Sequence, residues 1–205
     1  MTIGLVMLNT LVFIANYPTG AVEGMAYKIG FVPAEGFSLI KVFSSIFVHG
    51  NWKVLLINII FLWFFGHKVE EEIGNVRYIL LYLLLGGIVM GIHYLSDIHD
   101  SVPVGGAGGV ISGILGAYLY LFPNAKMEML WGSKTIAISA RIYILIWFFD
   151  QFANSLTTSE YRELLYIPVG EVSFWSHIGS FIMGWLLAKS FSASKIPTSH
   201  AQVAD

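Results

Sequence analysis

Six runs of apolar residues, separated by short polar segments, recur along the 205-residue chain. A helix needs about 20 mostly apolar residues to cross a hydrocarbon core about 30 Å thick, and a window of that length finds these runs. They cover residues 2–16, 52–66, 78–95, 105–122, 136–153 and 174–191. The pattern predicts an all-α membrane protein, a bundle of six transmembrane helices surrounded by lipid.

The composition excludes several other classes of protein. Hydrophobic residues make up 56% of the chain and charged residues 12%, about half the charge of an ordinary soluble domain, and the mean hydropathy is +0.72. The absence of cysteine excludes a disulfide scaffold and a cysteine-based zinc module. A net charge of −2 gives no reason to expect a nucleic-acid partner. We therefore predict no metal, no cofactor and no nucleic acid.

Residues 1–191 are predicted to form one membrane domain, and residues 192–205 a polar, disordered tail. The first run lacks a basic flank and a small-residue cleavage site, so we expect it to be retained rather than removed as a signal peptide. With both termini in the cytoplasm, seven of the eleven Lys and Arg residues lie on the inner side, as the positive-inside rule favours. The sequence therefore predicts cytoplasmic termini.

Small residues recur at four-residue spacing in two of the runs, which indicates helix faces that pack closely in lipid. The fourth run carries two such rows, one made of Gly105, Gly109, Gly113 and Ala117 and the other of Gly108, Ser112 and Gly116. The sixth run carries a third row, made of Ser176, Ser180 and Gly184.

Polar side chains at membrane depth are expensive and are candidates for function. Asn58 lies about six residues into the second run, His177 about three residues into the sixth, and His49 just before the second. With cytoplasmic termini, Asn58, the glycines of residues 105–109 and His177 all fall within about 10 Å of the outer surface. This convergence fits either a polar clamp between helices or a functional site.

Three other polar residues have simpler interpretations. His93 and His99 flank the outer end of the third run, where we expect them to snorkel to the interface or to be solvated. Asp150, in the fifth run, is expected to face a cavity or the outer interface.

Three segments together resemble the rhomboid family of intramembrane serine proteases. They are FVHGNWKVLLINIIFLWFFGHKVEEEIG around the second run, VPVGGAGGVISGILGAYLYLFPNAK around the fourth and SHIGSFIMG in the sixth. The resemblance extends over essentially all six runs. It implies a six-helix rhomboid fold in the cell (inner) membrane, with the lipid bilayer and transmembrane segments of other proteins as partners.

The resemblance also assigns positions to a catalytic site, and two of these positions are altered. In the family a G-x-S-G motif carries the nucleophilic serine, but here the motif reads GAGG and Gly108 takes the serine's place. His177 falls on the position of the general base and Asn58 on that of an oxyanion donor, whereas Val54 replaces the family's oxyanion histidine. The resemblance further places four residues in the substrate-binding region, His49, Gly106, Ala107 and Ser112.

A glycine cannot attack a carbonyl, and no cysteine is available to supply a thiol instead. The first hypothesis is therefore a catalytically inactive rhomboid that binds transmembrane segments of client proteins. The alternative is an active intramembrane serine endopeptidase with His177 as base, acting through Ser112 or with Gly108 not the natural residue. A third possibility is an unrelated membrane binding or transport protein with glycine-rich helices.

Overall fold

The computed structural model describes residues 1–16, 22–131, 134–155 and 174–193, and these residues are mostly helical. The helices are α1 (Thr2–Asn16), α2 (Val22–Ile29), α3 (Leu39–Ser45), α4 (Trp52–Phe61), α5 (His67–Ile73), α6 (Asn75–Ser96), α7 (Gly108–Leu121), α8 (Ala140–Ser155) and α9 (Phe174–Ala193). A 3-10 turn covers Pro33–Glu35, a π-helical turn Leu62–Gly66 joins α4 to α5, and two strands, β1 (Lys126–Trp131) and β2 (Lys134–Ser139), precede α8.

Two helical segments of the described chain are long and apolar enough to cross a membrane. The first is Trp52–Ile73, in which α4, the π-helical turn and α5 run on without interruption, and the second is α6. Asn51 begins the first segment as an N-cap, because its side-chain oxygen accepts a hydrogen bond from the Val54 N–H at 2.9 Å. Gly74 separates the two segments with φ +85°, a conformation that glycine adopts without strain.

Each of the six predicted runs overlaps a helix, but the fold is not purely α-helical. Residues 136–139, assigned to the fifth run, belong to β2, which pairs with β1 in an antiparallel hairpin. The predicted start of the fourth run, residue 105, is also wrong, because α7 begins at Gly108 and residues 105–107 form the loop before it. Shorter apolar helices cover Thr2–Ala15, Gly108–Leu121 and Ala140–Phe149.

The central element is α7. Every residue from Gly109 to Tyr118 is buried, as expected for a helix that is apolar on all sides and enclosed by other helices. Helix α6 packs against it with a continuous buried stripe that includes Tyr78, Leu81, Tyr82, Leu85 and Val89.

Helix α9 approaches α7 so closely that backbone atoms touch. A Cβ built on Gly184 would lie 1.8 Å from the carbonyl oxygen of Gly113, and one on Gly116 would lie 2.0 Å from that of Phe181. Only glycine fits at these two positions. The small-residue rows of the fourth and sixth runs therefore face each other.

Contacts at the helix ends indicate how the long helices alternate in direction. Arg77, near the start of α6, donates a hydrogen bond to the carbonyl oxygen of Phe191 near the end of α9, at 3.2 Å. At the opposite end, Phe31 pairs with Val104 in an isolated antiparallel bridge just before α7. The starts of α7 and α9 consequently lie at the same end of the bundle.

Candidate functional site

The loop before α7 brings Gly108 to the first turn of a buried helix. Gly106 adopts φ +102° and its N–H donates to the carbonyl oxygen of Ser45 at 2.9 Å, while Val104 is held by the bridge to Phe31. A side chain at Gly106 would be strained in this conformation. The loop is thus fixed against α3 and the preceding segment, and α7 starts at a defined place.

A cavity of about 170 Å³ opens beside Gly108. It is lined by apolar side chains from α4, α7 and α8, by four glycines and by two polar side chains; these residues are Val54, Ile57, Asn58, Phe61, Gly105, Gly106, Gly108, Gly109, Ile111, Trp147 and His177. The predicted site residues Gly108, His177, Asn58, Val54 and Gly106 therefore share one cavity.

The two polar side chains face Gly108 from different helices. A Cβ built on Gly108 would lie 3.6 Å from Nε2 of His177 and 3.9 Å from Oδ1 of Asn58, both ordinary van der Waals distances. Both side chains are about nine-tenths buried. A hydroxymethyl group at position 108 would therefore fit within reach of both.

His49 fixes the orientation of the Asn58 amide. Its Nδ1 lies 3.3 Å from the carbonyl oxygen of Phe47, which can only accept, so Nδ1 carries the proton and Nε2 is an acceptor. Nε2 then accepts from Nδ2 of Asn58 at 3.0 Å and, at 3.5 Å, from the Ala107 N–H. Nδ2 of Asn58 therefore points to His49, and Oδ1 is left facing the cavity.

Burial keeps the His49 imidazole neutral. Loss of hydration lowers the pKa of His49 from 6.5 to about 4, against a smaller opposing effect of the Phe47 carbonyl. A neutral ring with one proton is what the hydrogen bonds to Phe47 and Asn58 require.

Ser112 and Ala107 lie behind the cavity wall rather than on its surface. The Ser112 hydroxyl is fully buried and donates to the backbone carbonyl oxygen of His177 at 2.8 Å. Ala107 is also buried, and its N–H faces His49. Neither side chain is among those that line the cavity.

Trp147 and Phe61 were not singled out from the sequence as site residues. Phe61 packs on Trp147 and on Tyr143, with ring centroids 6.1 Å apart in each pair, and Trp147 meets the His177 ring edge-on at 6.4 Å. Phe61 follows Asn58 by three residues and so shares its helix face, which is a usable signal. Trp147 gives no such signal, since aromatic residues are common throughout the apolar runs.

Outside the cavity, His93 differs from the prediction. It neither snorkels nor is solvated, because both ring nitrogens are buried, and Nε2 lies 3.5 Å from Oδ2 of Asp100 across the loop that leads to α7. His99 is exposed, as predicted. The side chain of Asp150 lies outside the described part of the structure. Within the described residues, no group of three or more His, Cys, Asp or Glu side chains is arranged to hold a metal ion.

Comparison with known proteins places this chain in a family. A family model described as Rhomboid domain matches residues 36–194, more than three quarters of the chain. Rhomboid protease GluP of Bacillus subtilis is 30% identical over 156 residues, which cover 76% of this chain and 26% of that protein.

Two further relatives agree with this assignment. Rhomboid protein 1, mitochondrial, of Saccharomyces cerevisiae is 32% identical over 94 residues, 44% of this chain and 27% of that protein. Rhomboid protease GlpG of Salmonella newport is 24% identical over 127 residues, 62% of this chain and 45% of that protein. The matches thus span between about a quarter and less than half of these relatives. The chain belongs to the rhomboid family, whose members are integral membrane proteins.

Proposed function

We propose that this chain is a catalytically inactive rhomboid that binds transmembrane segments of client membrane proteins. The observation that carries the proposal is Gly108 at the start of α7, opposite Nε2 of His177, where the family's motif has a serine. The base position is occupied and the fold around it is kept, but the attacking atom is missing.

Among the described residues, no other side chain is placed to supply that atom. None of the described residues that line the cavity carries a hydroxyl or a thiol, and the chain has no cysteine. The hydroxyl of Ser112 is committed to the carbonyl oxygen of His177 behind the wall. Using Ser112 as a nucleophile would require breaking this bond and moving a fully buried side chain.

The oxyanion site is altered as well. Val54 lines the cavity at the position of the family's oxyanion histidine and offers no donor. Because His49 holds Nδ2 of Asn58, the cavity receives Oδ1, an acceptor that would repel a developing oxyanion. Two independent features besides Gly108 therefore disfavour acyl transfer.

We also propose that six helices cross the membrane, namely α1, the α4–α5 segment, α6, α7, α8 and α9, with both termini in the cytoplasm of the cell membrane. The alternating helix ends, Arg77 with Phe191 on one side and Phe31 with Val104 on the other, support this arrangement. The distribution of Lys and Arg favours the same orientation.

A client segment would reach the cavity from the side, between α4 and α8. Phe61 of α4 meets Tyr143 and Trp147 of α8 there through aromatic contacts. Each such contact contributes about 0.5–1.5 kcal/mol. A client that buries its own apolar surface between the two helices can offset the loss of these contacts.

The test is a reconstitution with a model transmembrane substrate. The purified protein in proteoliposomes should crosslink to the substrate without cleaving it, and a fluorophosphonate probe should label no serine. Cleavage that is lost in His177→Ala, or labelling mapped to Ser112, would instead establish an intramembrane serine endopeptidase.

A further inference from the structure

We infer that the cavity beside Gly108 recognises a hydroxyl group, the side chain of a serine or threonine within the client's transmembrane segment. The inference rests on the proposed function and names the chemical feature that the site selects. The client's hydroxyl takes the place that the missing serine hydroxyl would hold.

The polar end of the cavity matches the bonding needs of a hydroxyl. Oδ1 of Asn58 can only accept a hydrogen bond, and its orientation is set by His49. Nε2 of His177 lies on the other side of the Gly108 position. A hydroxyl donates one hydrogen bond and accepts others, so it can donate to Asn58 and, in the His177 tautomer with the proton on Nε2, accept from the ring N–H.

The remainder of the cavity selects against other polar groups. Its side-chain walls are apolar, formed by Val54, Ile57, Phe61, Ile111 and Trp147, and none of the described residues that line it is an Asp, Glu, Lys or Arg. A carboxylate would face the oxygen of Asn58, which repels it. A carboxylate or an ammonium group would also have to be transferred to membrane depth as an ion, which costs several kcal/mol. A hydroxyl both donates and accepts, and its desolvation costs far less than that of an ionised group.

An apolar side chain fits the walls but not the polar end. It would cover Oδ1 of Asn58 without offering a hydrogen bond, and an unsatisfied buried acceptor is costly. Threonine and valine have nearly the same shape, so the difference between them isolates the hydroxyl.

The backbone near the site allows a client to come close enough. Gly105, Gly106, Gly108 and Gly109 form one wall without side chains. Small residues of this kind let a second backbone approach within hydrogen-bonding range of the groups behind them.

The experiment uses synthetic transmembrane peptides of about 25 residues, built from leucine and alanine, that carry a single threonine or valine scanned along the segment. Binding to the reconstituted full-length protein is measured by fluorescence transfer. At one register the threonine peptide should bind about three- to tenfold more tightly than the valine peptide, the range expected for one hydrogen bond in a membrane.

Two variants locate the preference. Gly108→Ser supplies its own hydroxyl at the site and should abolish the preference while both peptides still bind. Gly91→Ser is the matched control, because a Cβ at Gly91 on α6 meets nothing within 4 Å, and it should keep the preference.

Each outcome has one meaning. Equal affinity of the wild-type protein for the two peptides at every register would overturn hydroxyl recognition and leave client binding intact. A threonine preference that survives Gly108→Ser would place the hydroxyl elsewhere and also overturn it. If neither peptide binds, the proposed function itself fails.

Discussion

At the scale of single residues, His49 links the loop before α7 to Asn58 of α4. Its ring is buried and uses Nδ1 toward Phe47 and Nε2 toward Asn58 and Ala107. Protonation of Nε2 would remove the acceptor that orients the Asn58 amide. The low pKa of His49 therefore keeps the amide orientation constant at physiological pH.

We expect the free energy of unfolding in detergent to decrease as the pH falls from 6.5 toward 4. In this window the unfolded chain takes up a proton on His49 that the folded protein excludes, since the pKa of His49 falls from 6.5 to about 4 on folding. The loss at pH 4 should be about 3 kcal/mol. His49→Gln should remove this part of the pH dependence, and His99→Gln, at an exposed site, should not. An unchanged profile in His49→Gln would refute the assignment.

Gly108→Ser should introduce weak cleavage of a model transmembrane substrate. The new Cβ makes only ordinary contacts with His177 and Asn58, so stability should change by no more than about 0.5 kcal/mol. Adding Val54→His restores a donor in the cavity and should raise the rate by up to about a hundredfold. Cleavage is followed by gel electrophoresis, with Gly108→Ser combined with His177→Ala as the inactive control. A folded double variant without activity would contradict the prediction and show that more than these two side chains is missing from the site.

The sequence was informative where position along a helix determines depth. Counting residues from the start of each predicted helix puts Asn58, Gly108 and His177 at a similar depth in the membrane. In the structure all three line one cavity. The partner of His49 was not predictable, because it depends on how the loop before α7 folds. Trp147 was missed for a similar reason, since only the packing of α8 brings it to the cavity.

At the scale of secondary-structure elements, the α7–α9 interface depends on missing side chains. Gly184 faces the Gly113 carbonyl, and Ser112 adds a hydrogen bond to the His177 carbonyl of α9. The spacing of small residues predicted close packing along both runs, and the facing glycines are the physical reason for it.

Gly184→Ala should destabilise the protein by about 1–3 kcal/mol or more, because its Cβ would lie 1.8 Å from the Gly113 oxygen and the helices must separate. Gly87→Ala on α6, where a Cβ meets nothing within 4 Å, is the matched control and should be neutral or slightly stabilising. Equilibrium unfolding in mixed micelles measures both. Similar stability of the two variants would contradict the close backbone contact.

The β-hairpin was missed because its second strand merges with the next helix in sequence. The segment KTIAIS runs directly into ARIYILIW, and the apolar residues give one continuous run. Its β-branched Thr135, Ile136 and Ile138 favour a strand, but a short strand beside a helix is hard to separate by hydrophobicity alone.

At the scale of the whole molecule, the chain's lack of cysteine makes its orientation directly measurable. Ser101, in the loop before α7, and Asn124, in the loop after it, are both exposed. The proposed topology puts them on opposite sides of the membrane.

In intact cells, a membrane-impermeant maleimide should label Ser101→Cys and should reach Asn124→Cys only after permeabilisation. The cysteine-free chain is the background control. The reverse pattern would invert the orientation, and labelling of both from outside would show that α7 does not cross the membrane.

The backbone contact between α7 and α9 also has a mechanical consequence. Side chains can rotate to absorb a displacement, but a glycine Cα against a carbonyl oxygen has no such freedom. The two helices should therefore move as one stiff body, which keeps the spacing between Gly108 and His177 constant. Any motion that widens the cavity must therefore be a displacement of α4 or α8, whose aromatic rings can slide past one another.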